Sequence, residues 1–463
     1  MTLYSSMLRS FVLPWALSRD NRQSALAHWR FFEQSQFWSK SMLMEYQQQK
    51  LAALLTHAYE TTAHYRRVFD ERKLMPSDIR TVSDLAKLPI LTRKDLFDHG
   101  QALRSRNFTD AQIHKLLTGG TTGQQAVLYR DQESLNIKLG MAWRHERWVG
   151  VDPCDKIAYY WPAHIDFHHD ESFKQRIKQR YILRQLMNYT GGGSEDALGQ
   201  VYRDSIAFNP RMIKAFPSAL LRFTEYLQAH SLRYPKIVGI MSTGEVLSER
   251  DRSLFENYFQ CRVFDMYGSR EAGNNACECD HHTGRHIAME TSLLEVAKDG
   301  EPVGPDQDGE YLITDLTNYG FPLIRYQIND YGRILSESCT CGRQLPMMGS
   351  TVGRTHDRVQ LLDGRTIDGN VLLYHLTTDD VHRIGQLQIV QKELAKFLVR
   401  INRRPEPTEA TFEFIRGQLR KLLGEIEVFI EVVDEIPRDP SGKVRSLISE
   451  LGKRISEKRE QIS

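Results

Sequence analysis

Leu117-Thr118-Gly119-Gly120-Thr121-Thr122-Gly123-Gln124-Gln125, running straight into Ala126-Val127-Leu128-Tyr129, is the stretch on which the reading of this chain turns. Its glycines open backbone angles closed to other residues and expose successive N–H groups, and its threonines add hydroxyls, so the segment makes a concavity suited to phosphate oxygens. The last glycine is not followed by the Lys and Ser/Thr that open a helix in a Walker-type loop. Ala126 to Tyr129 has strand character instead. The segment therefore reads as a hairpin loop closing over phosphates, with an ordinary glycine-rich turn as the competing reading.

At 463 residues the chain has room for two or three domains and needs no disulfides to hold a core. Its 61 basic residues nearly balance its 59 acidic ones, and no basic run is interleaved with aromatics, which argues against a nucleic-acid surface. The apolar run from Phe11 to Leu17 is too short to span a bilayer and lacks a small-residue cleavage site, so it reads as a docked terminal segment. No membrane span is expected, and the cytoplasm is the expected location. Among the 6 cysteines, Cys154 and Cys261 stand alone, while Cys277, Cys279, Cys339 and Cys341 form two tight pairs. In a reducing compartment such pairs point to metal.

Taken in order, residues from Trp38 to Phe69 carry apolar side chains at helical intervals, and Thr92 with Asp95 reads as a helix cap. Further helices are expected over Glu133 to Trp148 and from Phe216-Pro217-Ser218 onward, and strands over Asp155 to Trp161, Lys236 to Met241 and Cys261 to Met266. His164, His168, His169 and Asp170 form only a weak metal candidate, and Gly191 to Ser194 reads as a loop. The strand ending at Ser242-Thr243-Gly244-Glu245 and the following helix, Ser248 to Phe259, form an α/β unit with ligand contacts at the strand's carboxyl end. Tyr267-Gly268-Ser269-Arg270-Glu271 reads as a polar turn, either a simple salt-bridged one or a ligand contact.

Strands over Glu290 to Val296 and Gly309 to Asp315 suggest an antiparallel, barrel-like module. Beyond Asp357 the pattern becomes a small α+β domain, with strands at Leu387 to Val390, Phe397 to Ile401 and Ile426 to Val433 and a helix from Glu409 to Leu423. It closes on a loop presenting Lys443. The expected fold is thus α/β: a large multi-layer domain over 1–356 with a β-barrel-like module and a metal-bearing segment at about 277–341, and a small mobile α+β domain over 357–463.

TGGTTGQQ, YGSRE, FPLIRYQIND, VGRTHD and IPRDPSGK occur in the order and rough spacing of acyl-adenylate-forming enzymes, and the whole chain resembles their phenylacetate–CoA ligase branch, including its capsular-polysaccharide (CapK) members. The resemblance implies that a small carboxylic acid attacks the α-phosphate of ATP, giving an acyl-adenylate and pyrophosphate, before transfer to CoA or another nucleophilic acceptor. It places the phosphates on Thr118, Gly119, Gly120, Thr121, Thr122 and Gly123, with Thr122, Glu271 and Lys443 as catalytic residues. Glu271 matches the magnesium-associated glutamate, Gly244 and Glu245 fall at the adenine, and Tyr267, with Gly268 and Ser269 beside it, stacks on that base. Asp330 matches the ribose-binding aspartate, Arg354 a nucleotide-proximal arginine and Asp357 the hinge about which the small domain swings. Cys279, His286, Cys339 and Cys341 resemble a structural zinc set, with Cys277, His281 and His282 as competing ligands.

Three departures bear on the reaction. Gln124 stands where many relatives carry lysine, Leu362 to Asp368 departs from the glycine loop that lines the acceptor channel of CoA ligases, and Tyr160 to His164 differs from the glycine-rich equivalent of phenylacetate enzymes. An amine or sugar hydroxyl acceptor therefore stays open beside CoA, as does a zinc-stabilised binding protein without turnover. Trp161, Phe216 and Met266 are the candidate walls of the acid pocket. The oligomeric state is open, a dimer included.

Overall fold

A computed structural model of the chain describes residues 7–117, 127–161, 177–190, 195–298, 300–349, 351, 358–362, 366–368, 372, 376, 387–403, 406–437, 445 and 447–451. The chain divides into two compact units: Met1–Leu247 with Asp251–Ile328 and Gly332–Ser350, and Thr351–Ser463 with Ser248–Arg250 and Asn329–Tyr331. The expected boundary at 356/357 lies outside the described residues.

The larger unit opens with helices α1 (Leu13–Arg19), α2 (Ser24–Ser35), α3 (Lys40–Thr61), α4 (Ala63–Glu71) and α5 (Arg93–Leu103). The single helix expected from Trp38 to Phe69 is two, because Thr62 takes extended angles (φ −116°, ψ 138°) and its hydroxyl accepts from the Tyr65 N–H, capping α4. Thr92 and Asp95 form the expected reciprocal cap of α5. Leu13, Ala16 and Leu17 dock the N-terminal apolar run, leaving Phe11 and Trp15 exposed. Among the described residues no helix is long and apolar enough to cross a membrane.

Strands β1 (Ile113–Leu117) and β2 (Val127–Asp131) pair antiparallel, with Leu117 opposite Val127 and Ile113 opposite Asp131. The flanks of the glycine–threonine segment thus make the expected hairpin, while Thr118 to Ala126 lie outside the described residues. Helix α6 (Gln132–Val149) follows at once, its first turn capped by the Asp131 side chain.

Next come β3 (Ile157–Trp161), β4 (Gln185–Tyr189), α7 (Glu195–Phe208), β5 (Met212–Ala215), α8 (Pro217–Ala229), β6 (Gly239–Thr243), α9 (Glu249–Phe259) and β7 (Arg262–Ser269). They continue into β8 (Gly273–Glu278), β9 (Arg285–Ile287), β10 (Ser292–Lys298), β11 (Glu301–Pro302), β12 (Gly309–Asp315), β13 (Tyr326–Gly332), β14 (Ile334–Leu335) and β15 (Met347–Met348). One nine-stranded sheet has the order β14-β15-β9-β8-β7-β6-β5-β3-β4, and a second, four-stranded one has β11-β10-β12-β13. Neighbouring strands from β4 through β7 run parallel, and β7 to β8 turns antiparallel.

Strands β3, β5 and β6 are buried along their whole length, as near-continuous apolar strands covered on both faces must be. On one face Tyr160 stacks on Phe223 of α8 at 4.9 Å and its hydroxyl meets Ser205 of α7 at 2.8 Å. On the other, Lys214 of β5 pairs with Glu146 of α6 at 3.2 Å.

The smaller unit has its own core. A two-stranded pair, β16 (Arg358–Gln360) and β17 (Thr366–Asp368), precedes a four-stranded sheet with the order β20-β19-β18-β21, built from β18 (Leu387–Glu393), β19 (Lys396–Asn402), β20 (Glu427–Val433) and β21 (Leu447–Ser449). Helix α10 (Glu409–Leu423), capped by Thr408, buries Ile415, Leu419 and Leu423 with Ile389, Phe397, Val399 and Ile401 of the sheet. This is the helix and the surface that the apolar spacing of the sequence anticipates.

Candidate active site

Ligands of open α/β sheets collect outside the carboxyl ends of the parallel strands. Here the ends of β3, β5, β6 and β7 bring together Trp161, Phe216, Gly244 and the Ser269 turn. Trp161 and Phe216 meet edge-on at 4.9 Å, and Met266 accepts from the Thr243 hydroxyl at 3.8 Å, so the suggested wall residues do share one end of the sheet. Gly244 has φ +79°, and a Cβ there would stand 2.4 Å from the Phe216 ring. Only glycine lets the chain turn this close to the aromatic face. Glu245 next to it accepts from the Ser218 N–H and hydroxyl, both at 2.9 Å, and so caps α8.

Tyr267, Gly268 and Ser269, expected in a turn, belong to β7 and pair with Ala276, Asn274 and Gly273 of β8 through a register shift after Tyr267. The turn itself is only Arg270 to Ala272; the ladder captures the preceding residues because β8 follows immediately. The Tyr267 ring is 7% exposed, edge-on to Tyr311 at 5.8 Å and beneath the Arg285 guanidinium. Ser269 Oγ accepts from the Ala272 N–H at 3.0 Å, tightening the turn that carries Glu271.

Sequence reasoning missed what holds this turn. Arg130 Nη2 donates to the Arg270 and Glu271 carbonyls at 2.8 and 3.1 Å, and Lys138 Nζ donates to the Ala272 carbonyl at 2.5 Å and to Asp315 at 2.8 Å. Both cations are buried, and burial lowers both pKa values, opposed by Asp315. Asp131 accepts from the backbone of Ser134, Tyr319 and Gly320, while Asn318 bonds Asp131 N and Tyr129 O, so β2 is fastened to the loop after β12. A basic residue within a strand reads as a solvated face in one dimension; only its burial reveals the network. Glu271 offers a hard carboxylate oxygen on a half-buried turn, which suits Mg²⁺, an ion that takes one or two carboxylates alongside phosphates and water.

Asp330 lies on β13 directly after Asn329, whose φ of +63° is of the left-handed kind that asparagine tolerates. Upstream in the same motif, Arg325 is fully buried and donates to Glu295 at 3.1 Å, the Leu88 carbonyl at 2.7 Å and the Gly300 carbonyl at 3.0 Å. It clamps the Leu88–Leu91 segment, and Leu91 N bonds the Arg325 carbonyl at 3.1 Å. Arg354, Asp357 and Lys443, like His164, His168, His169 and Asp170, lie outside the described residues.

The donor atoms of Cys279, His286, Cys339 and Cys341 lie within 4.8 Å of one another. Tetrahedral zinc with Zn–S about 2.3 Å sets sulfurs about 3.8 Å apart and a sulfur and imidazole nitrogen about 3.5 Å apart. Cys279 and Cys339 stand 3.7 Å apart and Cys341 stands 3.4 Å from His286 Nε2, so the set fits that ion. The other ring nitrogen, Nδ1, faces the Leu345 carbonyl at 3.2 Å, the outer contact that fixes a ligating tautomer. Burial lowers His286 to about 4, leaving the neutral ring a metal needs. The competing candidates are turned elsewhere: His281 meets Thr340 at 3.0 Å, His282 meets Glu278 at 3.1 Å, and Cys277 is not in the set.

The chain is similar to several known ligases. The chain is 29% identical over 331 residues to the phenylacetate-coenzyme A ligase of Escherichia coli (strain K12), covering 68% of this chain and 72% of that protein. To the enzyme of the same name from Thermus thermophilus it is 26% identical over 339 residues, 69% of this chain and 72% of the relative. The chain is a homologue of the phenylacetate–coenzyme A ligases. Residues 364–450 of this homologue match a family model described as the CapK C-terminal domain. Its fold matches a crystal structure of 2-hydroxyisobutyryl-CoA ligase in the postadenylation state, in complex with R3-HIB-AMP, with a TM-score of 0.71 over 92% of this chain and 93% of that one, at 18% identity.

Proposed function

We propose that the protein activates a carboxylic acid with ATP, forming an acyl-adenylate and releasing pyrophosphate, and transfers the acyl group to CoA as a thioester. The observation that carries this reading is the homology to phenylacetate-coenzyme A ligases across two thirds of the chain. The hairpin flanking the glycine–threonine segment and the anchored Glu271 turn support it. Thr118 to Gly123 cradle the phosphates, and the developing charge on the leaving pyrophosphate is met by their N–H and hydroxyl groups. Gly244, Glu245 and Tyr267, with Gly268 and Ser269, form the adenine side, Asp330 takes the ribose, Arg354 flanks the nucleotide, and Glu271 serves Mg²⁺. Lys443 brings a mobile point charge to the carboxylate and α-phosphate, a role a flexible ammonium suits. Zinc at the Cys279 set is structural, since four protein ligands leave no open position.

An acceptor other than CoA, an amine or a sugar hydroxyl, is the second reading, favoured by the CapK C-terminal match and by the divergence of Leu362 to Asp368. Pyrophosphate release over a panel of aryl and aliphatic acids, with and without CoA, decides between them. Turnover that requires CoA supports the thioester reading, acid-dependent release indifferent to CoA supports the second, and no release with any acid overturns adenylation. Lys443→Ala should lose on the order of a hundredfold or more in adenylation rate yet still bind ATP, because removing one transition-state charge contact costs that much. Unchanged release would remove Lys443 from the mechanism.

A further inference from the structure

The Glu271 turn and the phosphate-binding segment are separate in sequence, yet one short piece of chain reaches from one to the other. β2 leaves the glycine–threonine segment at Val127, and within it Arg130 bridges the carbonyls of Arg270 and Glu271. Eight residues on, Lys138 of α6 takes the next carbonyl, that of Ala272. Three consecutive carbonyls of the turn are thus held by two buried cations from the segment that exits the cradle. The stem of Lys138 also fills the space beside Gly273, where a Cβ would stand 2.6 Å from Lys138 Cδ and where φ is +80°. No side chain can intervene between turn and helix.

Such an arrangement is expensive to maintain. Two buried cations must be desolvated, and among the described residues their direct acceptors are the fully buried Asp315 carboxylate and neutral carbonyls. A turn that needed only to close could use its Ser269 cap and the β7–β8 ladder. We propose that Arg130 and Lys138 are positioning residues that lock the Glu271 turn to β2 and α6, so that the Glu271 carboxylate keeps a fixed place relative to β2 during adenylation. This rests on the adenylation reading and on Glu271 serving the nucleotide-bound Mg²⁺. Charge-assisted donors aimed at backbone suit the task, because a carbonyl hydrogen-bonded to a buried cation does not shift when the phosphates acquire charge.

The test compares Arg130→Gln, Arg130→Lys and the double variant Lys138→Met/Asp315→Asn, the last chosen so that no buried carboxylate loses its counter-ion. Two readouts are taken on variants whose circular dichroism matches that of the parent: acid-dependent pyrophosphate release, and ATP affinity by calorimetry with Mg²⁺ and with EDTA. Arg130→Gln and the double variant should lose about 10–100-fold in kcat, the usual cost of disturbing groups behind a metal-contacting residue, with KM for the acid unchanged. They should also lose the tightening of ATP binding that Mg²⁺ confers while keeping the metal-free affinity. Arg130→Lys, which restores a cationic donor, should recover most of both. Parent-like kcat and parent-like Mg²⁺ tightening in the variants would overturn the proposal, as would an equal loss of metal-free ATP affinity and acid KM, the mark of a merely loosened fold. If the parent protein releases no pyrophosphate with any acid, adenylation itself fails, and the calorimetric comparison still decides whether the two cations position the turn.

Discussion

Gly244 shows how much of the site depends on single atoms. Its φ of +79° and the 2.4 Å approach of a notional Cβ to Phe216 mean that Gly244→Ala is penalised twice, by backbone strain and by overlap with a ring that cannot retreat because Trp161 lies against it. The substitution should lower stability by about 2–4 kcal/mol. It should also raise KM for ATP or the acid, because Glu245 and the α8 cap move with it; urea denaturation and steady-state kinetics check the two effects. A variant as stable as the parent would mean that the turn relaxes away from Phe216. The glycine itself is visible in one dimension as part of a strand–turn–helix pattern. Its partner Phe216, 28 positions earlier, is brought to it only because β5 and β6 are neighbours.

The paired cysteines act between elements. Cys279 follows β8, His286 lies on β9, and Cys339 and Cys341 sit in the segment between β14 and β15 that returns to pair with β9. Zinc there would tie together three short elements that make few ladder bonds of their own. The protein as purified should hold about one zinc per chain by elemental analysis. Strong chelation, or Cys339→Ser, should lower the thermal midpoint by several degrees while leaving the pyrophosphate-release rate of the still-folded protein close to that of the parent. Selective loss of activity at an unchanged midpoint would instead argue for a catalytic metal. The elements were legible unevenly: α10 and the α5 cap follow directly from periodicity and capping residues, whereas the Trp38–Phe69 helix breaks at Thr62 because a local cap competes with continued helix.

For the molecule as a whole, buried histidines set a pH response. Burial lowers His64 to about 4, with Arg67 and His99 acting the same way, and burial, with Arg144 and Lys214 nearby, also lowers His145. A histidine whose folded pKa lies below its unfolded value of about 6.5 binds its proton more readily in the unfolded chain, so its contribution to stability is intact above pH 6.5 and lost as pH falls toward 4. Stability should therefore decline across that window, and His64→Gln should flatten the decline by about 2 kcal/mol between pH 7 and 4.5, measured by denaturant titration at each pH. Equal slopes in the two proteins would exclude His64 as the source.

The strands that flank the glycine–threonine segment and the two tight cysteine pairs could be read without coordinates, because they are local patterns in the sequence. So could β3, α8, β6, α9 and β7, since apolar periodicity is itself the record of burial, whereas β4, α7 and β5 were not anticipated. The ligand ambiguity among Cys277, Cys279, His281, His282 and His286 could not be resolved that way, because adjacent side chains in strands and turns diverge and only the crossing of β8, β9 and the Cys339–Cys341 segment decides which converge. Arg130 and Lys138 were likewise invisible. A charged residue in a strand or helix carries no sign in the sequence that it is buried; tertiary packing, which brings β2 and α6 against the Glu271 turn, makes two ordinary cations into the supports of a site.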